Sequence, residues 1–116
     1  MTENMIKSIR CLELMLEIVK FSHIDYLTDI RPHPAGPGWQ LRYRFPNGYG
    51  ASVIRWQMTI AGYSSGSYGA EAGLWELAVL DPAGEICYST PITVDVLGWQ
   101  TPEDINSALT QIMELP

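Results

Sequence analysis

Residues 62–66, GYSSG, match G-x-S-x-G, the nucleophile elbow of serine hydrolases. That elbow needs a strand–turn–helix, which strains the serine outward above a parallel sheet. The next regular element after Ser64 is predicted to be a strand, and no base partner for Ser64 can be identified. We therefore interpret these residues as part of a Gly/Ser-rich loop.

Glu76 is the only acid inside the apolar segment LWELAVL. Burial raises the pKa of a carboxyl group, and a raised pKa is typical of general acids. The alternative is a carboxylate that reaches the rim or pairs with Arg42, Arg44 or Arg55. We favour the alternative, so the sequence predicts no catalytic residue and no enzyme, with a minor enzyme using Glu76 or Ser64 as the remaining possibility.

The chain has two histidines, His23 and His33, and neither belongs to a recognised ligand pattern. The glycine runs PNGYG and SYGAEAG lack the lysine and the following helix of a phosphate-binding loop. The sequence accordingly predicts neither a metal nor a cofactor.

A few polar and aromatic residues could contact a partner. Two arginines and a tryptophan fall on the polar face of a predicted hairpin, where they could form a platform for an acidic partner or a stacked base. That face could equally be solvated or lie beneath a helix. The Gly/Ser/Tyr loop adds three further side chains. The candidate partner-binding residues are Arg42, Arg44, Trp56, Tyr63, Ser64 and Tyr68.

Composition predicts one domain spanning residues 1–116, because a second core would have too little material. Hydrophobic residues make up 47% and charged residues 17%. Four tryptophans and six tyrosines are more aromatic surface than a small core needs. This surplus predicts a protein partner or a homo-oligomer.

The formal net charge of −6 argues against nucleic-acid binding, which needs a basic surface. The longest apolar stretch, residues 9–21, is interrupted by charges and too short to span a membrane. No signal peptide is recognised, and Cys11 and Cys87 are predicted to be free thiols. We expect a cytoplasmic protein.

Two helices are predicted. Residues 4–21 carry a stripe of apolar side chains at three- and four-residue spacing that includes Leu16 and Val19, while Leu14 and Ile18 fall outside it. The second helix begins after Thr101, which suits an N-cap, with Pro102 at the first helical position and Asp104 completing a capping box.

Four strands are predicted between the helices. WQLRYRF alternates and pairs with residues 49–60 through a Pro-Asn-Gly turn, in a register that places Tyr43 opposite Ala51. LWELAVL pairs with EICYST through the similar turn Asp-Pro-Ala-Gly. Residues 22–38 are predicted to be a connector, and residues 91–100 either extend the last strand or form a loop. The predicted fold is α+β, with an N-terminal helix, a four-stranded antiparallel β-meander and a C-terminal helix packed on the sheet.

Four segments, NGYGASVIR, SYGAEAGLWELAVLD, GEICYSTPIT and DVLGWQTPEDI, resemble a family of small uncharacterised proteins of bacteriophages and prophages. The resemblance covers about residues 43–115. The chain departs from that family by a longer segment, WQMTIAGYSSG, and by its apolar N-terminal helix. The resemblance implies a phage or prophage accessory gene product.

We therefore expect a non-enzymatic accessory protein that binds a protein partner, for example as an inhibitor of a host enzyme or defence complex. The alternative is a small-molecule or nucleotide-binding domain in which residues 62–73 act as a lid.

Overall fold

The computed structural model describes residues 14–116. Residues 14–18 are helical, and six strands and a C-terminal helix follow, with short 3-10 turns at Ile24–Tyr26 and Ala70–Ala72. The strands are β1 (Leu27–Pro32), β2 (Gly38–Arg44), β3 (Gly50–Ile60), β4 (Tyr63–Gly66), β5 (Trp75–Leu80) and β6 (Leu97–Gln100), and the C-terminal helix is Pro102–Met113.

The strands form one antiparallel sheet with the order β1-β2-β3-β5-β6, and β4 pairs with the outer half of β3. The predicted four-stranded meander is therefore wrong in strand number and in order. The α+β composition remains, because helical segments stand at both ends of the described chain.

The β2–β3 hairpin has the predicted turn and register. Phe45 accepts a hydrogen bond from the N–H of Gly48 at 3.0 Å, and Gly48 has φ +91°, a backbone region that glycine adopts without strain. Tyr43 pairs with Ala51 and Leu41 with Val53. The proline at the second turn position excludes a two-residue loop, so this register is the one that the turn chemistry allows.

The Asp-Pro-Ala-Gly turn is also formed, but the strand predicted after it is not. The Asp81 carboxylate accepts hydrogen bonds from the N–H groups of Ala83 and Glu85, and Leu80 and Ile86 form a single isolated bridge. The segment then leaves β5. Thr90 hydrogen-bonds the backbone of residue 93 through its hydroxyl, and the following proline has no N–H for a ladder.

Strand β6 takes the position beside β5 that EICYST was predicted to hold. Trp75 pairs with Gln100, and Leu77 pairs with Leu97. A choice between two short segments as neighbours of the same strand depends on tertiary packing, which local sequence patterns do not contain.

Strands β1 and β4 were both predicted to be irregular. Five of the six residues of β1 and all four residues of β4 are exposed. Alternation of apolar and polar residues arises only where one face of a strand is buried. These two strands lack it for that reason.

One face of the sheet packs against the helical segments. Trp75 is fully buried, and the ring of Phe21 meets it edge-on at 5.1 Å, a favoured aromatic geometry. The C-terminal helix buries one stripe of apolar side chains against this face. The main buried side chains are Leu14, Phe21, Leu41, Tyr43, Phe45, Val53, Trp75, Leu77, Val79, Ile105, Ala108, Leu109 and Ile112.

The predicted N-terminal helix is only partly described, since residues 4–13 and Cys11 lie outside the described residues. In the described part, Leu14 is buried and Ile18 packs against the core, whereas Leu16 and Val19 are exposed. The buried stripe is therefore rotated from the predicted one. Leu14, Ile18 and Phe21 have the same helical spacing, so periodicity alone could not choose between the two faces.

The C-terminal helix begins as predicted. The Thr101 hydroxyl accepts a hydrogen bond from the N–H of Asp104, whose carboxylate accepts one from the N–H of Thr101. The side chain of Asn106 then ties this helix to the N-terminal region, since it donates to the carbonyl of Lys20 and accepts from the N–H of Ser22.

Candidate functional site

The outer half of β3 leaves the main sheet and pairs only with β4, so residues 57–66 form a two-stranded ribbon. The turn of the ribbon is Ala61-Gly62, with φ of +52° and +81°. Two positive φ values in a two-residue loop are the type I′ geometry that matches the twist of a hairpin. The ribbon therefore ends in a regular two-residue hairpin turn. Tyr63, which follows this turn, is 82% exposed.

One edge of β4 is open. The N–H of Gln57 in β3 bonds to Pro37, away from β4. Because backbone groups alternate sides along an antiparallel pair, the bonds between β3 and β4 are made by Ser65 and Tyr63. The N–H and C=O groups of Ser64 and Gly66 thus point to the opposite edge, with which no strand pairs within residues 14–116.

A cleft of about 270 Å³ lies beside β4. Its walls come from β3 at Gln57, from β4, from the segment that follows β4, and from β6. The lining residues with functional side chains are Gln57, Ser64, Ser65, Ser67, Tyr68, Glu71 and Trp99. Hydroxyl, amide, carboxylate and aromatic groups therefore meet at one place beside unpaired backbone groups.

The two aromatic residues of the cleft are joined through their backbones. The N–H of Trp99 donates to the carbonyl of Tyr68 at 3.1 Å. Two glycines allow the two backbone segments to approach this closely. A Cβ on Gly98 would lie 2.5 Å from Cβ of Tyr68, and one on Gly69 would lie 2.9 Å from Cα of Trp99. The side chains themselves remain accessible, with Tyr68 61% and Trp99 53% exposed.

Trp99 has a left-handed backbone, with φ +57°. A bulky L-residue is strained in this region, and such strain is concentrated at functional sites. The register of β6 against β5 shifts at this point, between the pairs Trp75–Gln100 and Leu77–Leu97, so the left-handed residue lies in a bulge of the strand beside the cleft.

The charge near the cleft is negative. Glu71 is the only charged residue among the described lining residues. Burial raises the pKa of Glu76, the backbone N–H of Tyr68 lowers it, and the charge of Asp95 raises it. Burial is the largest effect. Glu76 therefore lies close enough to the Tyr68 backbone and to Asp95 for both to affect its pKa.

The structure brings three of the predicted partner-binding residues to the ribbon and its cleft. Ser64 and Tyr68 line the cleft, and Tyr63 lies at the adjacent hairpin tip. Sequence reasoning missed Glu71 and Trp99. Trp99 falls in the segment 91–100, predicted to be either strand or loop, and its nearness to Tyr68 depends on contact between residues 31 positions apart in sequence.

Arg42 and Arg44 serve a structural role elsewhere. Arg44 donates to the carbonyls of Gly48 and Pro82 at 3.1 and 3.0 Å, and Arg42 donates to the carbonyl of Gly84 at 3.3 Å. Their guanidinium groups thereby join the two hairpin turns, which leaves fewer donors for an acidic partner.

Trp56 lies at the opposite end of the sheet from these arginines. It pairs with Gly38, whereas Arg44 pairs with Gly50, six residues away along β3, or roughly 20 Å. The His33 ring stacks on the indole, with centroids 5.2 Å apart and planes at 8°. The three residues of the predicted platform therefore do not come together.

Ser64 lies within an antiparallel ribbon, and its hydroxyl is 3.2 Å from the hydroxyl of Thr59. This is not the strand–turn–helix that activates a nucleophilic serine. Glu76 takes part in none of the ion pairs among residues 14–116, and Arg55 instead lies 4.3 Å from the Trp75 ring centroid and 3.7 Å from Glu17. Ser64 therefore lacks the elbow geometry, and Glu76 is half-buried without an arginine partner among the described residues.

No group of three or more potential metal ligands occurs in the described part of the chain. Among the helices of residues 14–116, none is long and apolar enough to cross a membrane.

Comparison of the chain with protein-family models, with curated proteins and with solved structures found no match in any of the three.

Proposed function

We propose that this chain is a non-enzymatic accessory protein of the host-cell cytoplasm, and that it binds a protein partner by adding an extended segment of the partner to the open edge of β4. The observation that carries the proposal is the set of outward backbone groups on Ser64 and Gly66, which border a cleft with two exposed aromatic rings. In strand addition, main-chain hydrogen bonds supply affinity and side-chain pockets supply specificity.

The resemblance to phage and prophage proteins gives this function a biological setting. A small acidic domain that captures an extended segment of a host enzyme or defence complex would act as a stoichiometric inhibitor. Neither nucleic acid nor a membrane is part of the proposal, because the net charge is −6 and the cleft has an acidic wall.

A second candidate is a small polar ligand, and the serine hydroxyls along the cleft favour it. A nucleotide fits poorly. The cleft is smaller than the ~300–1,000 Å³ typical of small-molecule pockets, and its charged lining residue is a glutamate. Residues 64–71 line the cleft, so in this candidate the segment 62–73, which includes β4 and a 3-10 turn, borders the ligand.

An array of peptides from host proteins, probed with the full chain, tests the proposal. Binding peptides should protect the amides of Ser64 and Gly66 from hydrogen exchange. Protection confined to other parts of the chain, or ligand-induced shifts with small polar molecules but no peptide, would contradict it.

Proline variants provide a matched pair. Ser64→Pro removes an outward N–H and should abolish peptide binding while the ribbon persists, since proline is tolerated on strand edges. Ser65→Pro removes an N–H that bonds β3 and should open the ribbon itself, which NMR can detect. If Ser64→Pro binds peptide normally, strand addition is not the mode of binding.

A further inference from the structure

We propose that the cleft beside β4 is a subsite for one cationic side chain, arginine or lysine, of the bound segment, held between the rings of Tyr68 and Trp99 and the carboxylate of Glu71. The inference rests on the proposed function and names the residue type that the partner must present.

The size of the cleft selects a single side chain. Its volume of about 270 Å³ is too small for most drug-sized ligands but sufficient for one long side chain that enters from an added strand. Residues along a strand point alternately to its two faces, so one residue in two could enter the cleft.

The aromatic rings favour a cation. Tyrosine and tryptophan attract ammonium and guanidinium groups through the negative faces of their rings, and tryptophan does so most strongly. Both rings line the cleft and are more than half exposed. Arginine can also stack its planar group on such a ring.

The charge of the cleft excludes an anion. Glu71 is the only charged residue among the described lining residues. Arg55, two residues before Gln57 on β3, donates to the carbonyl of Gly73 and lies 3.7 Å from the carboxylate of Glu17. A cationic side chain would therefore gain a charge-assisted hydrogen bond, whereas an acidic side chain would be repelled.

NMR titration of the full ¹⁵N-labelled chain tests the subsite directly. The probe is N-acetyl-L-arginine methylamide, and its control is the neutral isostere N-acetyl-L-citrulline methylamide. The arginine probe should shift the Trp99 indole N–H and the amides of residues 66–71 saturably, and the citrulline probe should bind at least about fivefold more weakly. Equal binding of the two probes would overturn the inference.

Charge-neutral variants extend the test. Glu71→Gln should weaken binding of the arginine probe about fivefold to tenfold. Glu85→Gln, an exposed acid on the Asp-Pro-Ala-Gly turn, should leave it unchanged. An unaltered affinity for Glu71→Gln, or equal losses for both variants, would contradict a specific contact.

The peptide array separates the failure of the subsite from that of the proposed function. Replacement of each arginine or lysine in a binding peptide by citrulline or norleucine should weaken binding. If binding peptides lack basic residues yet protect Ser64 and Gly66, the subsite is refuted and strand addition stands. If no peptide binds while the arginine probe shifts Trp99, strand addition is refuted and the cation subsite stands.

Discussion

The side-chain amide of Asn47, in the turn between β2 and β3, donates a hydrogen bond to the main-chain carbonyl of Leu115 at 3.0 Å. The same amide nitrogen lies 2.8 Å from the carbonyl of Ile112 and 3.2 Å from that of Met113, and the amide oxygen accepts from the N–H of Tyr49. The last carbonyls of a helix have no partner within it. A turn residue therefore caps the C-terminal helix from outside.

Replacement of Asn47 should destabilise the protein through this cap. Asn47→Ala removes both roles of the side chain and should lower the free energy of unfolding by about 2 kcal/mol, measured by urea denaturation. Asn47→Asp keeps the acceptor for Tyr49 but places a carboxylate against helix carbonyls, so it should be less stable than Asn47→Ala. Greater stability of the aspartate variant would show that the turn bond dominates.

Glu76→Gln should stabilise the protein at neutral pH. Because burial raises the pKa of Glu76 in the folded state, the fold holds its proton more tightly than the unfolded chain does. This contribution to stability is present below the unfolded pKa and is lost as pH rises through the folded pKa. Glutamine keeps an acceptor for the Tyr68 N–H. The gain in Tm at pH 7 should vanish near pH 3. A gain independent of pH would show that the raised pKa of Glu76 is not its cause.

Tyr43→Phe should cost no stability at pH 7. The hydroxyl of Tyr43 is buried and has no hydrogen-bond partner among residues 14–116. Removal of such a hydroxyl should change the free energy of unfolding by between zero and about +1 kcal/mol, measured by denaturant titration. A loss of more than about 1 kcal/mol would reveal a partner.

Tyr43→Phe should also change how the free energy of unfolding depends on pH in the alkaline range. Burial raises the pKa of Tyr43 to about 12, so wild-type ionisation is disfavoured in the fold. The contribution to stability is complete below the unfolded pKa of about 10 and is lost as pH rises through the folded pKa. The free energy of unfolding of Tyr43→Phe should therefore fall less steeply than that of the wild type as pH rises above about 10. An unchanged slope would contradict the burial of the Tyr43 hydroxyl.

Glycine at position 99 should be better tolerated than alanine. The left-handed backbone of Trp99 costs an L-residue roughly 1 kcal/mol, which glycine does not incur. Thermal unfolding should therefore rank Trp99→Gly as more stable than Trp99→Ala. Tyr63, an exposed strand residue, provides the control, because there the order should reverse. The same order at both positions would contradict strain at Trp99.

The parts of the fold predicted from the sequence are those fixed by local chemistry. Pro46 and Gly48 define the turn type and hence the register of β2 and β3, and Thr101 with Asp104 defines where the last helix begins. Each depends on residue types at fixed offsets, which remain readable without tertiary structure.

The parts that could not be predicted depend on exposure or on distant contacts. Exposed edge strands such as β1 and β4 bury no face, so their residues are under no pressure to alternate. The cleft arises where the backbone of Tyr68 crosses that of Trp99, and the two glycines that permit the crossing have no common sequence signature. Ser64 and Tyr68 could be named as candidates, but their shared site could not.

The two halves of strand β3 differ in how much core packing a substitution would disturb. Residues 50–54 have neighbours on both sides, β2 and β5, whereas residues 57–60 pair only with β4. Substitutions in the ribbon therefore cost little core packing, while those in the inner half of β3 cost much. The ribbon should therefore accept sequence changes at its exposed positions, while one continuous strand keeps it attached to the buried part of the sheet.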